Sequence, residues 1–296
     1  PEAEADRQRR SHTASFHSLN AGREATVFMK YHKGAAMTIF LCDDTMEGIF
    51  TAVYDAWASR LGHANVKLQV RGGTMELFAD YREAETDMEK AEKVARTIKR
   101  ELGEEGWEQI SRAALAFCKE RADAIYRVLV LALSEGRKRK GADILAQIQN
   151  PSVCLIMELS HSVWHETHRY MGFIRFCELQ SGVLFSEIAP ENQVLPLLGA
   201  HFADRFPREH FLIFDHTHCD ILAHEAGGSW WIIKDVPMEN KKFEAGAVSG
   251  QEAEFQRLWR GFCSSVSIKE RENPQLQRQL WPYKFRKWMT EGQKDW

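Results

Sequence analysis

Phe211-Leu212-Ile213-Phe214-Asp215, Cys219-Asp220-Ile221-Leu222-Ala223 and Ser229-Trp230-Trp231-Ile232-Ile233 are short runs rich in large apolar residues, parted by polar turns. Runs of this length and composition read as neighbouring strands of one sheet. Just upstream, Phe173 to Glu178 and Val183 to Ile188 flank Ser181-Gly182, which predicts a β-hairpin. Between that hairpin and the three strands, Pro190-Glu191 opens a helical pattern through Val194, Leu197, Leu198, His201, Phe202 and Phe206. A helix packed on an antiparallel sheet is the economical arrangement.

Outward from this core the period changes. Met88, Val94, Ile98 and Leu102 form one helical stripe, Trp107, Ile110 and Phe117 a second, and Ile125, Val128 and Leu129 a third, so residues 82 to 135 read as helical. Asn150-Pro151 suits the start of a further helix, with Val153, Ile156, Leu159, Val163 and Tyr170 facing inward. Gly136-Arg-Lys-Arg-Lys-Gly141 between these segments is a basic connector, read as a solvated loop. Nearer the start, Thr38 to Cys42 has strand character. Asp44 and Glu47 then have capping-box spacing before the helical face of Ile49, Phe50, Val53, Trp57 and Leu61. Val66, Leu68 and Val70 alternate as a short strand up to Gly72-Gly73. After a polar loop at 238 to 250, Phe255, Leu258, Trp259 and Phe262 mark a last amphipathic helix.

The expected class is α+β: an N-terminal strand-helix unit, a helical middle, an antiparallel sheet packed with a long helix, and a basic aromatic C-terminal tail. Residues 1–36 read as a disordered extension, with Met37 a candidate native start. Residues 37–170 hold the first unit and the helices, and 171–296 the sheet, the last helix and the tail. A single domain over both remains open.

The 296 residues are 44% hydrophobic and 27% charged, enough for a large core. Thirty-nine Lys and Arg against 42 Asp and Glu give a net charge of -3, which excludes a global cationic coat, so any nucleic-acid surface is local. No apolar stretch approaches the roughly 18 residues of a membrane span, and a cytoplasmic location is the expectation. Cys42, Cys118, Cys154, Cys177, Cys219 and Cys263 stand singly, without zinc-finger or cluster spacing, and read as reduced thiols. The phosphate-loop, dinucleotide, nucleophile-elbow and H-E-x-x-H motifs are all missing.

Three ordered segments carry a resemblance. They are Glu166-Thr-His168-Arg169-Tyr-Met-Gly172-Phe173-Ile-Arg175-Phe176, then Asn192-Gln-Val194-Leu195-Pro196-Leu197-Leu198-Gly-Ala-His201-Phe202-Ala-Asp204-Arg205-Phe206, and Phe214-Asp215 with His218. With Asn273-Pro274-Gln-Leu276-Gln277-Arg278-Gln279 and Asp43, Asp44 and Gly48, the chain after Met37 resembles a bacterial domain-of-unknown-function family linked to DNA metabolism. Its members stand beside a radical-SAM DNA modification or repair protein, or are fused to a uracil-DNA-glycosylase-like domain. The resemblance implies an accessory role in DNA repair or modification with such a partner. It supplies no catalytic residues, so whether the chain is an enzyme stays open.

Several side chains are candidates for chemistry. Arg169 and Arg175 flank Gly172, where close backbone approach and two guanidinium groups suit a phosphate or carboxylate, or else ion pairs with Glu166, Glu178 or Glu187. His161, His165 and His168 recur at helical spacing. A divalent metal held by His165, His168 and His218, with Glu166 as a base, is the alternative of a metal-dependent enzyme on nucleic acid. His201, Asp204, Arg205 and Asp215 are further polar candidates, and Asp43 and Asp44 read as capping groups or a carboxylate pair. From Phe255 to Trp296 nine Lys or Arg face four Asp or Glu among eight aromatic residues, a composition suited to single-stranded or distorted DNA. Arg278, Lys284, Arg286 and Lys287 are the expected phosphate contacts there, with a fold-back of the tail onto the sheet as the other possibility. A protein-interaction module without DNA binding is the third functional class.

Overall fold

The structure is a computed structural model that describes residues 37–135, 141–236 and 248–292. The expected extension at 1–36, the Arg-Lys core of the basic connector and most of the loop at 238–250 lie outside the described residues.

The first unit is a three-stranded parallel sheet. β1 (Met37–Cys42) is central, between β2 (Val66–Val70) and β3 (Ala79–Ala84), and both neighbours run parallel to it. A strand buried on both faces needs a nearly continuous apolar run, which Met37-Thr-Ile-Phe-Leu-Cys42 supplies. Helix α1 (Met46–Ala58) makes the crossover to β2 that a parallel pair requires. Its N-cap is Thr45, whose side chain accepts from the Gly48 N–H, and not the expected Asp44. Asp44 instead reaches Arg121 and Gln193. β3 overlaps the region expected to be helical; Ala-Asp-Tyr-Arg-Glu-Ala84 is a largely exposed edge strand with no apolar alternation.

Helices α2 (Met88–Ala114), α3 (Arg121–Glu135), α4 (Gly141–Leu145) and α5 (Pro151–Phe173) follow. α2 is broken at Gly103, whose φ of 74° a side-chain-bearing residue rarely adopts. Asn150 caps α5 by accepting from the Ser152 and Val153 N–H groups, with Pro151 in the first turn. At 23 residues α5 spans about 35 Å. Its Val153 and Ile156 belong to the core shared by the first sheet, α1, α2 and α3, while Tyr170 and the following Ile174 belong to the core of the second sheet. One helix therefore ties both cores together.

The second sheet has the order β4 (Cys177–Glu178), β5 (Leu184–Ile188), β6 (Phe211–Asp215), β7 (Asp220–His224), β8 (Trp230–Ile233). The hairpin pairing is confined to Cys177 with Phe185 and Glu178 with Leu184, because α5 runs on to Phe173. β5 and β6 are parallel, so the sheet is not wholly antiparallel; α6 (Leu195–Arg205) is the crossover between them, and β6, β7 and β8 form an antiparallel meander. α6 starts at Leu195 and not at Pro190, because residues 191 and 192 are engaged by Glu166. α6 lies close on the sheet at Gly199, where an added Cβ would fall 2.7 Å from Leu222 Cδ1 and 2.8 Å from Trp230. The chain closes with α7 (Gly250–Val266), α8 (Pro274–Leu280) and α9 (Tyr283–Arg286). This is an α+β molecule, and none of its described helices is long and apolar enough to cross a membrane.

Candidate nucleic-acid interface

Helix α7 begins where the chain leaves the edge of the second sheet. Val248 bridges Leu179, the Ser249 N–H donates to the Glu178 carbonyl at 3.0 Å, and the Ser249 hydroxyl caps the helix by accepting from Glu252 N. Phe255, Leu258, Trp259, Phe262 and Val266 recur at i, i+3, i+4, i+7 and i+11, which places them on one face. No residue of α7 is buried, and Phe262 is 55% exposed. Trp259 and Phe262 are stacked, 5.8 Å apart with planes 25° from parallel, and the Trp259 indole donates to Glu291 at 3.3 Å. Burial works against the Glu291 carboxylate, but its own backbone N–H, Arg175 and Trp259 outweigh it and hold its pKa below the usual value. An amphipathic helix normally hides such a face. Here it stands open, with Arg257 and Arg260 on the same helix and exposed Arg278 on α8.

The tail after α8 packs inward, the second of the two possibilities posed by its composition. Phe285 is 2% exposed and lies 5.0 Å from the Tyr170 ring and 4.7 Å from Phe173. Its cations have intramolecular partners. Lys284 Nζ is 3.1 Å from Glu166 Oε1; the Arg286 guanidinium lies 4.6 Å from the Trp281 ring and 4.4 Å from Tyr283, and its Nε donates to the Trp281 carbonyl. Lys287 sits over Trp288 at 4.2 Å. Arg175 does not pair with Glu166, Glu178 or Glu187; it pairs with Glu291 at 2.8 Å and donates to the carbonyls of Gly172 and Ile174. A Cβ at Gly172 would meet nothing within 4 Å, so no close backbone approach depends on that glycine. Arg169, Asp204 and Arg205 are exposed, with Arg205 over the Phe206 ring at 5.6 Å, and His201 is edge-on to Phe202 at 4.9 Å.

Glu166 is a buried anchor, 7% exposed. Its carboxylate accepts from the N–H groups of Glu191 and Asn192 at 3.1 and 2.9 Å and from Asn192 Nδ2 at 2.7 Å, in addition to Lys284. Burial alone raises a carboxyl pKa, and these donors more than reverse it, so Glu166 stays ionised below its ordinary value. The Asn192 side-chain Oδ1 in turn accepts from the Phe117 N–H at 2.9 Å, which joins the second sheet's entry loop to the end of the helical layer.

The proposed metal set does not converge. His165 Nε2 is 2.7 Å from His161 Nε2, His168 lies beside the Trp164 ring, and His218 binds Asp215, 2.6 Å from Nδ1 to Oδ2. Among the described residues no three His, Cys, Asp or Glu side chains are grouped to hold a metal. Sequence reasoning passed over Arg121, which is buried, donates to the carbonyls of Ala114 and Cys118, and pairs with Asp44. The one signal was a cation at the first position of a largely apolar helix, α3.

The family model of a domain of unknown function, DUF4130, matches residues 119–291. That span takes in α3 through α9 with the whole second sheet and leaves the first sheet outside, together with Asp43, Asp44 and Gly48. No curated protein and no solved structure matches the chain.

Proposed function

The chain belongs to the domain-of-unknown-function family DUF4130, and from that premise we propose that it is an accessory nucleic-acid-binding protein. It holds single-stranded or distorted DNA on α7 and presents it to a partner enzyme of DNA repair or modification. The observation that carries this reading is the open face of α7, a row of aromatic rings on a helix without a buried residue. Unpaired bases stack on such rings whatever their sequence, and nearby guanidinium groups neutralise the phosphates. Arg257, Arg260 and Arg278 take the phosphate role: Arg257 and Arg278 are exposed, with a 3.7 Å pair to Glu254 and a bond to the Pro274 carbonyl, whereas Arg175, Lys284 and Arg286 are held by Glu291, Glu166 and aromatic rings. The partner class, a radical-SAM protein or a uracil-DNA-glycosylase-like protein, rests on the motif resemblance around Glu166, Asn192 and Asp215.

The test is fluorescence anisotropy of labelled single-stranded and duplex DNA with the full chain at several salt concentrations. Each phosphate contact contributes about -0.7 to the slope of log K against log salt for a single strand. Replacing Arg257, Arg260 and Arg278 with Ala flattens that slope by about 2. No binding at low salt, or an unchanged slope in the triple variant, overturns the proposal; salt-insensitive capture of a protein partner by α7 without DNA affinity replaces it with a protein-interaction module.

A further inference from the structure

A cleft of about 270 Å³ opens between the start of α1, the end of α2, the start of α6 and the turn joining β6 to β7. Met46, Leu115, Leu195 and Ile232 supply an apolar lining, and His218 stands in the wall with Asp215. Asp215 is 1% exposed, and its Oδ1 accepts from the N–H groups of Thr217 and His218 at 2.8 and 3.3 Å. Its Oδ2 lies 2.6 Å from His218 Nδ1. That bond places the Nδ1 proton on the carboxylate side and leaves Nε2 as the basic nitrogen, with no protein partner among the described residues. A buried carboxylate that orients an imidazole at the edge of a cavity is the arrangement general-base chemistry requires.

We infer that this cleft is an acid–base site in which His218 Nε2 is the proton-transfer group and Asp215 its positioning residue, acting on an uncharged or cationic ester. The charge of the lining sets the class of substrate. Glu47 and Asp220 face the cleft with Lys234 as the one lysine or arginine among its lining residues, and Lys234 Nζ is already 3.7 Å from Asp220. A phosphate or carboxylate ligand meets net negative charge, and a neutral or cationic one does not. The reaction balances with water alone. The water gives a proton to Nε2 as its oxygen bonds to the carbonyl carbon; the bond from that carbon to the leaving oxygen breaks, and Nε2 returns the proton to that oxygen. An acid and an alcohol result, and no electrons change hands. Thr45, Met46 and Glu47, at the start of α1, line the cleft opposite the β6–β7 turn.

Burial opposes the charged imidazole, yet Asp215 outweighs it and holds the His218 pKa above the ordinary 6.5. Asp220 and Asp44 act in the same direction as Asp215. The site stands apart from α7, so it can fail while DNA binding holds, and the reverse.

The probes are 4-nitrophenyl acetate and 4-nitrophenyl phosphate with the full chain. Saturable hydrolysis of the acetate, none of the phosphate, a kcat that rises with pH through the His218 titration, and a loss of kcat/KM of about 100-fold or more in His218→Gln are expected. If that variant does not fold, carbethoxylation of the native protein by diethyl pyrocarbonate replaces it; loss of activity at one modified His218, restored by hydroxylamine, supports the site. Absence of saturable hydrolysis, or hydrolysis that persists in His218→Gln or after modification of His218, overturns it.

Discussion

Replacing Glu166 with Ala tests whether the junction between the long helix and the second sheet is held by one buried carboxylate. The substitution removes the acceptor for the Glu191 and Asn192 N–H groups and for Asn192 Nδ2. An orphaned buried donor costs about 1–3 kcal/mol, and breaking a buried charged set costs about 3–5 kcal/mol, so Glu166→Ala loses about 3–5 kcal/mol. Lys284→Met is the control. Its side chain is 46% exposed and Glu166 keeps three other donors, so the change costs about 1 kcal/mol or less. Urea unfolding of both variants and the wild type at neutral pH reads the difference as a shift in midpoint at constant slope. The pH dependence has a fixed sign. The folded-state pKa of Glu166 is depressed, so its stabilisation is complete above the ordinary 4.5 and disappears as pH falls through the folded value. The gap between wild type and Glu166→Gln therefore closes in acid. A loss under about 1 kcal/mol in Glu166→Ala, or an equal loss in Lys284→Met, refutes the reasoning.

Phe285→Ala, at a ring 2% exposed between Tyr170 and Phe173, destabilises by about 3–5 kcal/mol in chemical denaturation. Phe262→Ala on the open face of α7 stays within about 0.5 kcal/mol in the same assay; a large loss means that the face is covered. The raised pKa of His218 makes its pairing with Asp215 a stabilising interaction that is complete below the ordinary 6.5 and lost as pH rises through the folded value. Thermal melts of wild type and His218→Gln accordingly converge at alkaline pH. Cys42, buried with its thiol pushed up to about 12, resists iodoacetamide at pH 8 in the folded protein and reacts once urea unfolds it, as read by peptide mass spectrometry.

The elements legible in the sequence are those whose burial leaves a regular apolar pattern. β1, α1, the stripes of α2 and α3, the Asn150 cap of α5 and the strands β6 and β8 all fall near where periodicity and turn residues put them. β3 escaped because an exposed edge strand needs no apolar alternation, and Ala79 to Ala84 carries four polar residues of six. The parallel pairing of β5 with β6 escaped because strand direction follows from the α6 crossover, and no local pattern records it. The hairpin was drawn too long because Phe173 and Phe176 are apolar for a different reason: they pack on Phe285 and on Phe202. Among the site candidates the aromatic row of α7 was readable from spacing alone. The partners of Lys284, Arg175 and Arg286 were not, since Glu166 is 118 residues and Glu291 116 residues away in sequence. Asp215 and His218 belong to one short segment, but their place in a cleft depends on α1, α2 and α6 coming together around the β6–β7 turn, which no segment encodes by itself.

The most direct test of the central claim is the affinity of the full chain for a labelled single-stranded DNA when Trp259 and Phe262 are both replaced with Ala. Stacking contributes about 1–3 kcal/mol per base, so each ring lost weakens binding by about 5-fold to 150-fold. The double variant, with an unchanged melting temperature, is expected to bind at least about 25-fold more weakly at fixed salt. Equal affinity in the wild type and the double variant contradicts the assignment of α7 as the nucleic-acid surface.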